Sequence, residues 1–149
     1  MFRFTVTVLI IFNTFFLYSQ EYILESATKL KDNVIKINEN YISTTVELES
    51  TWTDSYGEYG TAKCNGHILS KNKSETINVY CEQLASNGDK FWTKFTRKSS
   101  DISAGIGKVI YLKGEGKYKK LENKECTYAI RYMDKKTNFL KLICKLGTQ

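Results

Sequence analysis

Residues 62–81 read Ala62-Lys63-Cys64-Asn65-Gly66-His67-Ile68-Leu69-Ser70-Lys71-Asn72-Lys73-Ser74-Glu75-Thr76-Ile77-Asn78-Val79-Tyr80-Cys81. A two-residue turn at Asn72-Lys73 puts Lys71 opposite Ser74. Counting back from that pair, Ile68 faces Ile77, Gly66 faces Val79 and Cys64 faces Cys81. The cysteine pair falls at a non-hydrogen-bonded site, where opposing Cα atoms come closest and lie within disulfide range. Strand side chains alternate between faces. One face therefore collects Ala62, Cys64, Ile68, Ile77, Val79 and Cys81. The other collects Lys63, Asn65, His67, Asn78 and Glu82, with Lys63 opposite Glu82. The segment reads as an antiparallel hairpin, stapled across its buried face.

The next turn signal is Asn87-Gly88, a strong short hairpin marker. As a two-residue turn it pairs Leu84 with Phe91, Gln83 with Trp92 and Tyr80 with Phe95. Trp92 then joins the cysteine face, together with Lys94, while Phe91 and Phe95 fall on the polar face. A barrel with a partly polar lumen gives such a mixture, and so does a register slip or bulge. Cys126 and Cys144 are symmetric about Lys135, so a second stapled hairpin is expected there. Bridges 64–81 and 126–144 are the expected pairing among the three that four cysteines allow. Each closes a loop of about 17–19 residues, contributing on the order of 3 kcal/mol by loop entropy.

From Tyr41 onward the apolar period is two, and turn residues recur every 8 to 12 positions. Strands are predicted at 41–53, 59–70, 75–85, 90–98, 106–113, 125–133 and 138–146. Val34-Ile35-Lys36-Ile37 supplies an eighth at 33–38. Leu24, Ala27 and Leu30 fit a short N-terminal helix. Short strands joined by short turns, with no proline in the chain, make this an all-β domain. The expected architecture is a small antiparallel eight-stranded β-barrel, with a β-sandwich as the alternative.

Residues 1–19 carry Arg3, an apolar run from Val6 to Phe12, and a small Ser19 at the exit. This is the pattern of a signal peptide, leaving 20–149 as one domain with no later membrane span. An uncleaved anchor is the alternative reading. Secretion delivers all four cysteines to an oxidising space, secreted or periplasmic, where disulfides persist. Charge is uneven: Gln20–Gly107 carries a net of −2 and Lys108–Gln149 a net of +7. A basic C-terminal half suits an anionic envelope component, although its lysines are dispersed as on a solvated strand face. The secretion signal argues against nucleic acid.

Few residues point to chemistry, and no catalytic residue, metal or cofactor is assigned. His67 is the single histidine, too few for a metal site without partners. Lys113-Gly114-Glu115-Gly116-Lys117-Tyr118 lacks the Gly-Lys-Ser/Thr ending of a phosphate loop and reads as a tight turn or bulge. Asn72-Lys73-Ser74 is a glycosylation sequon, relevant in a eukaryotic secretory pathway. Trp52-Thr53-Asp54-Ser55-Tyr56-Gly57-Glu58-Tyr59-Gly60 packs aromatics and carboxylates around a turn. Alternate turns of an up-and-down barrel share an end, so Trp52, Tyr56, Tyr59 and Trp92 are expected near one end as ligand contacts.

The order of Gly57, Gly60, Cys64-Asn65-Gly66, Cys81, Gly88-Asp89, Gly114-Glu115-Gly116-Lys117-Tyr118 and Cys126-Thr127-Tyr128 resembles small secreted bacterial proteins akin to the allene oxide cyclase-like and dirigent-like β-barrels. Their hallmark is a Gly-Gly-Thr-Gly-Lys/Arg-Phe/Tyr run before a late strand. Lys113 and Glu115 replace its first Gly and its Thr, and no family catalytic carboxylate or arginine maps onto this chain. The resemblance implies a closed barrel with an apolar or mixed lumen over residues 45–146. The functional expectation is binding of a small hydrophobic or amphipathic ligand. Alternatives are a cyclase- or isomerase-type enzyme on the same barrel, and an envelope-surface interaction protein with a basic face.

Overall fold

The structure, a computed structural model, describes residues 20–99 and 104–147. The signal peptide expected at 1–19 lies outside the described residues. Eight strands form one closed antiparallel barrel in sequence order. They are β1 (Glu21–Asn38), β2 (Tyr41–Asp54), β3 (Tyr59–Lys71), β4 (Ser74–Ala85), β5 (Lys90–Ser99), β6 (Ala104–Gly114), β7 (Glu125–Tyr132) and β8 (Thr137–Lys145). A 3-10 helix, Gly116–Leu121, connects β6 to β7. Among the described residues no helix is long and apolar enough to cross a membrane.

The β3–β4 hairpin has the register read from the sequence, with Cys64 opposite Cys81 and Lys63 opposite Glu82. Asn72 and Lys73 both hold positive φ, 51° and 63°, as a two-residue turn with the right twist requires. Disulfides join Cys64 to Cys81 and Cys126 to Cys144, with Cα separations of 4.1 and 4.5 Å. Both bridges point into the barrel.

Two expectations are corrected. The first is the β4–β5 register. Leu84 pairs with Lys90, Gln83 with Phe91 and Glu82 with Trp92, one residue away from the two-residue-turn alignment. The cause is turn type: Gly88 takes φ 90° while Asn87 does not turn positive, and Ala85 N–H bonds Asp89 O at 2.9 Å across a three-residue loop. A slip of one residue exchanges faces. Phe91 and Phe95 consequently turn inward, while Trp92 and Lys94 leave the cysteine face.

The second is the N-terminus. Residues 21–38 form one continuous strand and not a short helix. Tyr22, Leu24, Ser26, Thr28 and Leu30 alternate inward, a period of two that also contains the Leu24 and Leu30 of the helical reading. β1 closes the barrel by pairing with β8 from Glu21–Lys145 to Lys29–Thr137. Beyond that point it runs on beside β2 alone as far as Asn38, opposite Tyr41. The β1–β2 hairpin thus overhangs the rim.

The two ends of the barrel differ. The upper end carries the β2–β3 and β4–β5 turns and the 3-10 helix. Tyr22, Tyr111, Tyr118, Phe91 and Leu121 fill it and are fully buried. The lower end carries the β1–β2, β3–β4 and β7–β8 turns, and among the described residues no helix covers it.

Candidate functional site

The upper half of the lumen is an aromatic plug. Tyr118, on the 3-10 helix, stacks on Phe91 at 4.3 Å between centroids and meets Trp52 edge-on at 6.4 Å. Its hydroxyl donates to Asp54 Oδ2 at 2.9 Å, and Tyr22 donates to the same oxygen at 3.2 Å. The other oxygen, Oδ1, accepts the N–H groups of Tyr56 and Glu58, both at 2.9 Å, fixing the β2–β3 turn. One carboxylate therefore ties the turn, β1 and the helix together. Above it, Lys117 pairs with Glu58 at 2.6 Å, and Ser86 also donates to Glu58. These contacts hold Glu58 below the usual carboxylate range.

Burial raises the Tyr22 phenol far above its ordinary value, with Tyr111 and the Asp54 carboxylate pushing the same way. Tyr111 is raised by burial. Tyr118 is raised by burial, then by its bond to Asp54. Burying phenols favours their neutral forms, so this end is built from neutral hydroxyls around one carboxylate. All four bonds to Asp54 come from the protein itself, which makes the cluster a latch for the plug.

Below the plug the lumen is not filled. A cavity of about 100 Å³ remains, walled by Leu24, Val46, Leu48, Ala62, Ile77, Val79 and the bridged Cys64 and Cys81, with Trp52 and Gln83 also lining it. Gln83 is 4% exposed. Its amide donates to Thr93 Oγ1 at 2.8 Å, and its Oε1 has no protein hydrogen-bond partner. Buried polar atoms of that kind are uncommon and ask for a partner. Toward the lower rim the lining turns polar: Arg97, 4% exposed, places Nη2 4.0 Å from Glu75 Oε2, and Ser70 donates to Glu75 at 2.9 Å. Burial pushes the nearby Tyr128 phenol up to about 12, with Arg97 pulling the other way.

The four residues expected to contact a ligand all lie toward the upper end but divide across the wall. Trp52 is inside, 3% exposed, with its Nε1–H bonded to Thr61 O at 3.1 Å. Gly60 lets the indole lie flat against β3, because a Cβ there would strike the ring. Tyr56 packs into the plug, 4.7 Å from Tyr22 between centroids. Tyr59 is 66% exposed on the outside, in an open groove with Leu84, Phe139 and Ala27. Trp92 is also outside, donating to Glu82 Oε2 at 3.1 Å under Lys113. The one-residue slip put it there. Only Trp52 lines the cavity. His67 stands on the outer face, Nε2 2.8 Å from Ser43 Oγ. Lysines of the basic half, Lys108, Lys117 and Lys141, pair with Glu125, Glu58 and Glu25.

Sequence reading missed Gln83, Thr93, Arg97 and Tyr118. The misplaced Phe91 and Phe95 carried the signal for Thr93 and Arg97, since moving β5 by one residue turns both inward with them. No protein-family model matches the chain, and no curated protein matches it.

Proposed function

We propose that this protein is a secreted or periplasmic binding barrel for a small, largely apolar molecule bearing a hydroxyl or similar polar group. The observation that carries this reading is the lower-lumen cavity of about 100 Å³, apolar over most of its wall, with one buried amide atom of Gln83 left without a protein partner. Apolar cavities of about 150 Å³ take up benzene. The cavity here is smaller than that, so a ring of benzene size, or the leading end of a longer chain, would extend from it toward the Arg97–Glu75 rim. Gln83 lines the cavity, and in either orientation of its amide one polar atom meets Thr93 while the other has no protein partner. A hydroxyl is donor and acceptor at once and satisfies both cases. The two disulfides support an oxidising compartment, as does the leader read at 1–19.

The test uses phenol and benzene as probes, with Trp52 fluorescence and NMR shifts of cavity residues as readouts. Phenol is expected to bind roughly ten-fold tighter than benzene, since an unmade buried hydrogen bond costs about 1–3 kcal/mol. Gln83→Leu should cancel or reverse that order. Absence of saturable shifts with either probe would overturn the lumenal reading. Equal binding of both to the unsubstituted protein would leave an apolar pocket and remove the hydroxyl preference.

A further inference from the structure

The overhang of β1 offers an open strand edge. Leu30 N–H bonds Lys136 O at 2.7 Å, the last β1 residue held from the β8 side among the described residues. The same bond shows which way the backbone faces: even-numbered β1 residues point toward β8, while Ile23 points its N–H and C=O at Ser55. Past Leu30, the N–H and C=O groups of Asp32, Val34 and Lys36 therefore point off the edge. The segment is solvent-exposed throughout and apolar in part, with Val34 53%, Ile35 61% and Ile37 56% exposed. Such an edge is a template for another strand, and natural proteins blunt it or use it.

We propose that two copies of this chain associate through this edge, antiparallel, with Val34 on the two-fold axis. Parity and charge select the alignment. Antiparallel hydrogen-bonded pairs need outward groups on both strands, so even-numbered residues must face even-numbered residues. Centring on Asp32 or on Lys36 sets like charges face to face. Centring on Asn33 or Ile35 leaves Asp32 and Lys36 without each other. Centring on Val34 sets Asp32 of each copy across from Lys36 of the other, twice, by symmetry. A two-fold interface is self-complementary in this way. The contact is a few residues long, so the dimer is weak and concentration-dependent.

The experiment is sedimentation equilibrium of the exported, oxidised protein over a concentration series. The unsubstituted chain is expected to dimerise with rising concentration. Asp32→Lys, which faces Lys36 across the axis, should weaken association at least ten-fold. Asp32→Lys combined with Lys36→Asp should restore it. Val34→Pro, which removes the central donor, should abolish it. The overhang lies outside the closed barrel, so circular dichroism and melting should be unchanged in all variants. A chain monomeric up to millimolar concentration overturns the proposal. So does a dimer indifferent to Asp32→Lys, or a double variant no better than the single.

Discussion

The Tyr118 hydroxyl donates to Asp54 across 64 residues of chain, at 2.9 Å. This bond anchors the 3-10 helix to the β2–β3 turn and seals the upper end. Hydrogen bonds to charged groups contribute about 1.5–3 kcal/mol. Tyr118→Phe keeps the ring stack and should lower stability by about that amount in urea denaturation. Asp54→Ala should cost more, because Tyr22 and two turn N–H groups lose their acceptor as well. A Tyr118→Phe protein as stable as the original would mean the helix is held by ring packing alone.

Alkaline pH should unfold the barrel cooperatively. Tyr22, Tyr111 and Tyr118 are raised from the ordinary 10.0, and Tyr128 is raised to about 12. Above pH 10 the unfolded chain loses these protons while the folded one keeps them. Stability is thus complete below pH 10 and falls as pH rises beyond it, through 12 for Tyr128. Absorbance at 295 nm followed beside circular dichroism should show the buried phenols ionising together with loss of structure. Their smooth ionisation in a folded protein would contradict the burial.

The two tryptophans should respond oppositely to truncation. Trp52→Ala removes a buried indole packed on Phe91 at 5.5 Å between centroids and should cost about 3–5 kcal/mol. Trp92→Ala removes a surface indole and its bond to Glu82 and should cost no more than about 1 kcal/mol. Thermal melting of the two variants distinguishes them.

Peptide mapping without reductant should recover 64–81 and 126–144 as the only linked pairs. Each bridge spans 17 or 18 residues, so replacing either pair with alanine should cost about 3 kcal/mol. Free thiols in exported protein, or any cross-hairpin link, would contradict the barrel register.

Legibility in the sequence followed locality. The β3–β4 hairpin was readable residue by residue, since a two-residue turn, an apolar alternation and a cysteine pair agree on one register. At Asn87-Gly88 the same dipeptide serves two turn lengths, and the choice depends on φ at Asn87, which no residue name states. The cost was one residue of slip, enough to move Trp92 out and Phe91 in. Leu24, Ala27 and Leu30 fit both a helix and, with Ala27 facing outward, a strand. β8, more than a hundred residues away, decides between them. The cavity was least legible. It depends on which inward side chains fail to meet across the lumen, a property of the closed ring and of no single strand.

That ring has a seam. Its first and last strands pair, Glu21 facing Lys145, and Leu146 N–H reaches Gln20 O at 2.9 Å. The barrel cannot close until nearly the whole chain is available, and such long-range pairing is slow to form. The two stapled hairpins need only their own neighbours and can be oxidised while both outer edges still stand open. Order of assembly is thereby written into the topology: local, covalently fixed pieces first, and the ring last. Joining the two ends and cutting at the Asn72-Lys73 turn would move the seam to β3 and β4, where a disulfide already waits to close it.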